Sequence, residues 1–174
     1  LVMIKHVKGD LFKHIEQDCV IGHCCNDSGA WGAGFVLAIN KNLGMEPRNS
    51  FTNASKNLLY DLGDVDYCRV VKNKYRPTVG GPTHTGVSTA ITVANMCGQH
   101  GVGPGSTGDL RVTKPIRYAA LVHAMEDVAR YVNEYPQPIL APKFGSALAG
   151  GNWDFINELI HEIWGNLDVT IFEL

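Results

Sequence analysis

The sequence lacks a basic excess. Its 15 lysines and arginines stand against 17 aspartates and glutamates, giving a formal net charge of −2 and a pI near 6.4. A dedicated nucleic-acid surface carries surplus positive charge, so that class of partner is argued against. No apolar run reaches the length of a membrane-crossing helix, and no membrane partner is expected. The start, Leu1-Val2-Met3-Ile4-Lys5, lacks the charged-then-apolar pattern of a secretory signal. Cysteine is sparse and odd in number: five residues, two of them adjacent at Cys24 and Cys25. Neither feature suits a disulfide framework, which points to a reducing, cytoplasmic setting. The familiar phosphate motifs are missing as well. There is no G-x-x-x-x-G-K-[ST], and Gly29-Ala30-Trp31-Gly32-Ala33-Gly34 has the wrong glycine spacing for a dinucleotide fingerprint. A serine-hydrolase elbow around Ser146 would need glycines where Phe144 and Leu148 stand. Repeats, linkers and low-complexity segments are absent, leaving one domain over residues 1–174, expected to be a monomer.

What is present is a well-furnished core: 45% of residues are hydrophobic and only 18% charged. Strands are expected over Val2 to Val7, Cys19 to Cys24, Asp66 to Val71, Thr89 to Met96, Gln137 to Pro142 and Asp168 to Leu174. Phe35, Ile39 and Leu43 recur at helical spacing, with Gly44 as a stop. Pro47 opens a second helix with a stripe of Phe51, Ala54, Leu58 and Leu62, stopped by Gly63. Residues 72–88 read as a hairpin turn or exposed excursion, and Gly98 to Gly108 as a mobile glycine-rich loop. Pro115 opens a long helix with Leu121, Met125, Val128 and Val132 inward. Asn152 caps a last helix with Ile156, Leu159, Ile160 and Ile163 inward. Strands and helices largely alternate, so the expected fold is α/β: a three-layer α/β/α sandwich around a mixed sheet of about six strands.

Two glycine-rich loops share one context, each after a short buried strand and before a helix. The first runs His23-Cys24-Cys25-Asn26-Asp27-Ser28-Gly29-Ala30-Trp31-Gly32-Ala33-Gly34; the second runs Phe144-Gly145-Ser146-Ala147-Leu148-Ala149-Gly150-Gly151. Ligands of α/β sheets bind beyond the carboxyl ends of strands. Helix N-termini there offer unpaired N–H groups and partial positive charge. Two such loops facing each other would hold a pyrophosphate through backbone donors, which suits the lack of lysine and arginine in both. The plain alternative is that the glycines serve tight turns. Metal binding has little to recommend it. Adjacent Cys24 and Cys25 point opposite ways on a strand, and only Cys97, His100 and His84 stand at zinc-like spacing.

Taken together, the motifs resemble the macro domain, an ADP-ribose-binding module, across essentially the whole chain. The matching pieces are Gly9-Asp10-Leu11-Phe12, His23-Cys24-Cys25-Asn26, the two glycine loops with Pro142-Lys143, and the closing Val169-Thr170-Ile171-Phe172. Within the superfamily the chain looks most like the branch of the yeast-type ADP-ribose 1″-phosphate phosphatase and the terminal ADP-ribose glutamate hydrolase. Val93-Ala94-Asn95-Met96-Cys97-Gly98-Gln99 and Pro115-Ile116-Arg117-Tyr118 are similar to the phosphatase-type relatives. The resemblance implies that Asp10 takes the adenine amino group, with Gly9 and the Leu11 backbone beside it. It implies that Asn26 binds the distal ribose, flanked by Cys24 and Cys25. Ser28 to Gly34 would wrap ribose and pyrophosphate, and Phe144 to Gly150 would form the opposing loop.

For catalysis the resemblance implies His23, with Asn26 or Asp27 orienting it or a water. Structural alternatives stand beside these roles. Asp10 could cap a turn, Asn26 its own loop, His23 could be a satisfied core histidine, and Trp31 a packing residue. The chain departs from the glutamate hydrolases. Met96-Cys97-Gly98 follows the strand where they carry a lysine, and Ala149-Gly150 stands where they carry an aspartate. The activity so implied is release of phosphate from ADP-ribose 1″-phosphate, without a cofactor. A non-catalytic ADP-ribose reader and an ADP-ribosyl hydrolase acting on modified protein or nucleic acid are the alternatives.

Overall fold

The computed structural model describes residues 4–76, 79–81, 83–103 and 114–173. Six strands form one sheet: β1 (Lys5–Lys8), β2 (Cys19–Asn26), β3 (Val65–Arg76), β4 (Thr83–Gln99), β5 (Ile139–Pro142) and β6 (Val169–Glu173). Their order is β1-β6-β5-β2-β4-β3. Every neighbouring pair is parallel except the antiparallel β3–β4 ribbon. The carboxyl ends of β1, β6, β5, β2 and β4 therefore share one edge of the sheet.

Helices α1 (Phe35–Leu43) and α2 (Glu46–Lys56) cover one face; α3 (Tyr118–Glu134) and α4 (Trp153–Trp164) cover the other. This is the expected three-layer sandwich with a mixed six-stranded sheet. The period-two alternation of β2 makes the layers. Val20 faces the α3–α4 core with Met125, Ile160 and Trp164, while Cys19 and Ile21 face Ile39 and Leu43 of α1. Such a strand, buried on both sides, reads as a continuous apolar run.

Several elements differ from the sequence expectation. β2 runs two residues further, so Cys25 and Asn26 belong to the strand, and β4 likewise takes in Gly98 and Gln99. Pairing with a neighbour, not local propensity, decides where those strands end: Cys25 lies opposite Cys97, and Asn26 opposite Gln99. The rest of the expected mobile loop, from residue 104 to 108, lies outside the described residues. The α2 stripe ends with Ala54. Helix α2 stops at Lys56, Leu58 turns to φ 55°, and Leu58 and Leu62 are exposed rather than core. Pro115 does not open α3. Ile116 bridges back to Gln99, and the helix begins at Tyr118. The inward residues of α3 and the Asn152 cap, whose side chain accepts the Phe155 N–H, are as expected. Ahead of β2, Leu11–His14 form a single 3-10 turn.

Candidate functional site

A cavity of about 380 Å³ opens at the carboxyl ends of β2 and β5. Its floor is formed by His23, Cys24, Cys25 and Asn26 of β2. One wall is Ala30, Gly32, Ala33 and Gly34, continuing into Phe35 and Val36 of α1. The opposite wall is Phe144, Gly145, Ala147, Leu148 and Ala149. The two glycine-rich loops thus face each other across one cleft. Pro142, Lys143, Gln99 and Val102, which lie outside both expected loops, also line it. Gln99 and Val102 follow from the extension of β4, which hydrophobic patterning did not reveal.

The loops are built differently. Asn26 organises the first. Its Oδ1 accepts from the Ser28 and Ala30 backbone N–H groups, each at 3.0 Å, and from the Ser28 hydroxyl at 2.8 Å. Its Nδ2 donates to the Ala30 carbonyl at 2.8 Å. Asn26 is therefore the keystone of its own loop as well as a cavity residue. The loop ends at Gly34, whose φ of 77° and ψ of −142° no L side chain adopts readily. Gly34 caps α1 without a side-chain hydrogen bond, and the first turn of α1 holds no acidic residue. The N-terminus of α1, at the cavity wall, is left open toward an anion.

The second loop closes on itself: Gly151 N donates to Gly145 O at 2.8 Å and Gly150 N to Ala147 O at 3.1 Å. Gly145 has φ 78°, and a Cβ there would sit 3.1 Å from Ile156 and 3.2 Å from Ile116. Helix α4 lies beyond, capped by Asn152. Only the first jaw, then, offers an uncapped helix end to the cavity.

Other expected ligand residues lie outside the cavity wall. Gly9 donates its N–H to the Glu173 carbonyl at 2.9 Å. Asp10 caps the 3-10 turn, its Oδ1 accepting the Phe12 N–H at 2.9 Å, and Leu11 is core. Ser28 and Gly29 form the turn around Asn26. Trp31 is turned into the protein: its indole N–H donates to Asn40 Oδ1 at 3.0 Å, and its ring packs between His23 and Phe51. Ser146 donates to the Lys143 carbonyl at 3.2 Å, and Gly150 sits at φ 74° behind the loop. Lys143 itself reaches Glu173 at 3.0 Å and lies over Trp153.

His23 borders the cavity yet is only 2% exposed. Its Nε2 donates to Asn95 Oδ1 at 2.5 Å, and Trp31 and Phe35 enclose the ring. Burial brings its pKa down to about 4, against the raising effect of the Asn95 hydrogen bond. The imidazole is neutral at neutral pH, with one ring nitrogen already committed. This is the geometry of a satisfied core histidine. Asn95 passes the polar chain outward: its Nδ2 donates to Asp66 Oδ2 at 3.0 Å, and Asp66 accepts the Ser50 hydroxyl. The cysteines are equally quiet. Burial pushes the Cys24 and Cys97 thiols up to about 12 and holds Cys25 well above its usual range. None supplies a thiolate nucleophile at neutral pH.

A carboxylate–imidazole pair follows the strand ends next to the cavity-lining Asn26 and Gln99. Asp27 follows β2, and its Oδ1 accepts the Gly101 N–H at 2.9 Å. Its Oδ2 accepts from Nδ1 of His100, which follows β4. The Asp27 N–H donates to the Gln99 carbonyl at 3.1 Å, so the two strand ends are tied together. His100 was noticed in sequence only as a zinc candidate. Among the described residues no group of three or more His, Cys, Asp or Glu side chains is placed to hold a metal ion. Cys97 is fully buried, and the His84 side chain lies outside the described set.

No family model matches the sequence. A mouse chromodomain-helicase-DNA-binding protein 1-like is 26% identical over 161 residues. That match spans 91% of this chain but only 16% of the curated relative's length. Among solved structures, a Bacteroides thetaiotaomicron protein of unknown function is 30% identical with a TM-score of 0.77, covering 99% of both chains. A macrodomain protein from Streptomyces coelicolor is 27% identical with a TM-score of 0.69, covering 98% of this chain and 99% of its own. At the level of fold alone, Thermosipho africanus DarTG in complex with ADP-ribose matches at 15% identity and a TM-score of 0.66. It covers 98% of this chain and 41% of its own.

Proposed function

We propose, from its fold and its whole-length similarity to the Streptomyces coelicolor macrodomain protein, that this chain is a macrodomain and that it binds ADP-ribose in the cleft between its two glycine-rich loops. The observation that carries this reading is the cavity itself: about 380 Å³, walled by both loops, with the uncapped N-terminus of α1 at one side. Backbone donors there suit a pyrophosphate, which takes the middle of the ligand. The apolar Phe144 and Leu148 flank it, as most ligand cavities combine apolar walls with few polar anchors. DarTG, which shares this fold over 41% of its length, is a structure in complex with ADP-ribose, and the proposal takes the same ligand class. Calorimetric titration tests it: ADP-ribose should bind in the micromolar range and more tightly than AMP. No heat at millimolar ADP-ribose would overturn the reading.

A catalytic reading goes further. The protein is taken to hydrolyse ADP-ribose 1″-phosphate to ADP-ribose and phosphate, and the Asp27–His100 pair beside the cavity favours this over a purely non-catalytic reader. Hydrolysis of an ADP-ribosyl bond to protein or nucleic acid would act at the same end of the ligand, on the linkage at the distal ribose rather than on phosphorus. Phosphate release from ADP-ribose 1″-phosphate, set beside release of ADP-ribose from an ADP-ribosylated peptide, separates the two. The setting proposed is the cytoplasm, where the five free cysteines would stay reduced, and the working unit proposed is the monomer.

A further inference from the structure

One imidazole of the cleft wall, His23, is locked away, and another, His100, follows the cavity-lining Gln99 and is partly exposed. We propose that His100 is the general acid–base group of the 1″-phosphomonoester hydrolysis and that Asp27 is its positioning residue. This assignment rests on the ADP-ribose reading above.

The geometry supports it in three ways. First, a carboxylate can only accept, so Nδ1 of His100 donates to Asp27, and in the neutral form of the ring Nε2 is the nitrogen with the lone pair. Among the described residues Nε2 has no hydrogen-bond partner, and the His100 side chain is 43% exposed against 17% for Asp27. A half-buried carboxylate behind a more exposed imidazole is an arrangement that fixes a base in one tautomer. Second, both residues follow the carboxyl ends of adjacent parallel strands, and their chain neighbours Asn26, Gln99 and Val102 line the cavity. Third, a ligand laid along the sheet edge would have one end toward β1 and one toward β4. At the β1 end the carboxylate of Asp10 already caps its turn. The β4 end holds the Asp27–His100 pair, so the 1″-phosphate is assigned to that end.

In the step so assigned, Nε2 of His100 takes a proton from a water as its oxygen bonds to phosphorus. The bond between phosphorus and the 1″ oxygen breaks, and that oxygen leaves with the electron pair. It takes the proton from the imidazolium, giving ADP-ribose with a free 1″-hydroxyl and inorganic phosphate.

Single-turnover phosphate release from ADP-ribose 1″-phosphate, with calorimetric affinity for ADP-ribose on the same preparations, tests this. His100→Ala should slow release about 100-fold while affinity stays within about threefold, and added imidazole should restore part of the rate. Asp27→Asn keeps an acceptor for Gly101 but donates to Nδ1. It should slow release about tenfold and move the His100 proton to Nε2 in the imidazole nitrogen NMR spectrum. Full-rate release by His100→Ala, or loss that imidazole does not restore together with an unchanged tautomer in Asp27→Asn, would overturn the assignment. So would a wild-type protein that binds ADP-ribose yet releases no phosphate, an outcome that leaves the binding reading standing. Failure to bind ADP-ribose at all would remove both.

Discussion

His23 and His100 stand near the carboxyl ends of neighbouring strands, and their surroundings give them opposite characters. His23 is 2% exposed, enclosed by Trp31 and Phe35, and its hydrogen bond goes to an uncharged amide. Desolvation governs it and holds it neutral. His100 faces solvent on one side and a carboxylate on the other. A histidine in the first setting holds a fold together. In the second it can exchange a proton with a ligand. Position in a motif says less about an imidazole than the partner of each ring nitrogen.

The comparison can be tested from its largest effect downward. Truncating His23→Ala opens a hole in the core and strands Asn95 Oδ1, so urea unfolding should show a loss of about 3–4 kcal/mol. A negligible loss would place His23 outside the core. Next comes pH. The pKa of His23 falls from 6.5 in the unfolded chain to about 4 in the fold, so the unfolded state binds more protons between these values. The stability this contributes is complete above 6.5, is lost as pH falls toward about 4, and amounts to about 3 kcal/mol. Urea midpoints across that window should fall in the wild type and fall less in His23→Ala. An equal slope in both would show that another group governs acid stability.

Asn26→Ala removes the acceptor that gathers Ser28 and Ala30. It should weaken ADP-ribose binding about tenfold and cost about 1–2 kcal/mol of stability. The smallest effect belongs to His100→Ala, whose exposed pairing with Asp27 should change stability by less than about 1 kcal/mol. A loss as large as that of His23→Ala would erase the distinction between the two.

Much of the fold was legible. Phe35, Ile39 and Leu43 marked α1, and Leu121, Met125, Val128 and Val132 marked α3, because helical period and burial coincide there. Leu58 misled, since its spacing continues the stripe of α2 while the chain turns at φ 55° and leaves it in solvent. Spacing reports a face only where the helix persists. The paired glycine loops were legible as one site because both follow buried strands. Asp27 was recognised, but its partner was not. Asp27 and His100 are separated by two helices and the β3–β4 ribbon, and nothing local links them.

The sequence by itself determined the alternation of strands and helices, the two glycine-rich loops and the turn chemistry of Gly34 and Asn26. All of these depend on short-range sterics and burial patterns that each segment carries with it. The tertiary structure alone decided which histidine is buried, which carboxylate meets which ring, and that Gln99 and Val102 reach the cavity. Those outcomes depend on the pairing of β2 with β4, a contact between distant segments that sets desolvation and hydrogen-bond partners together.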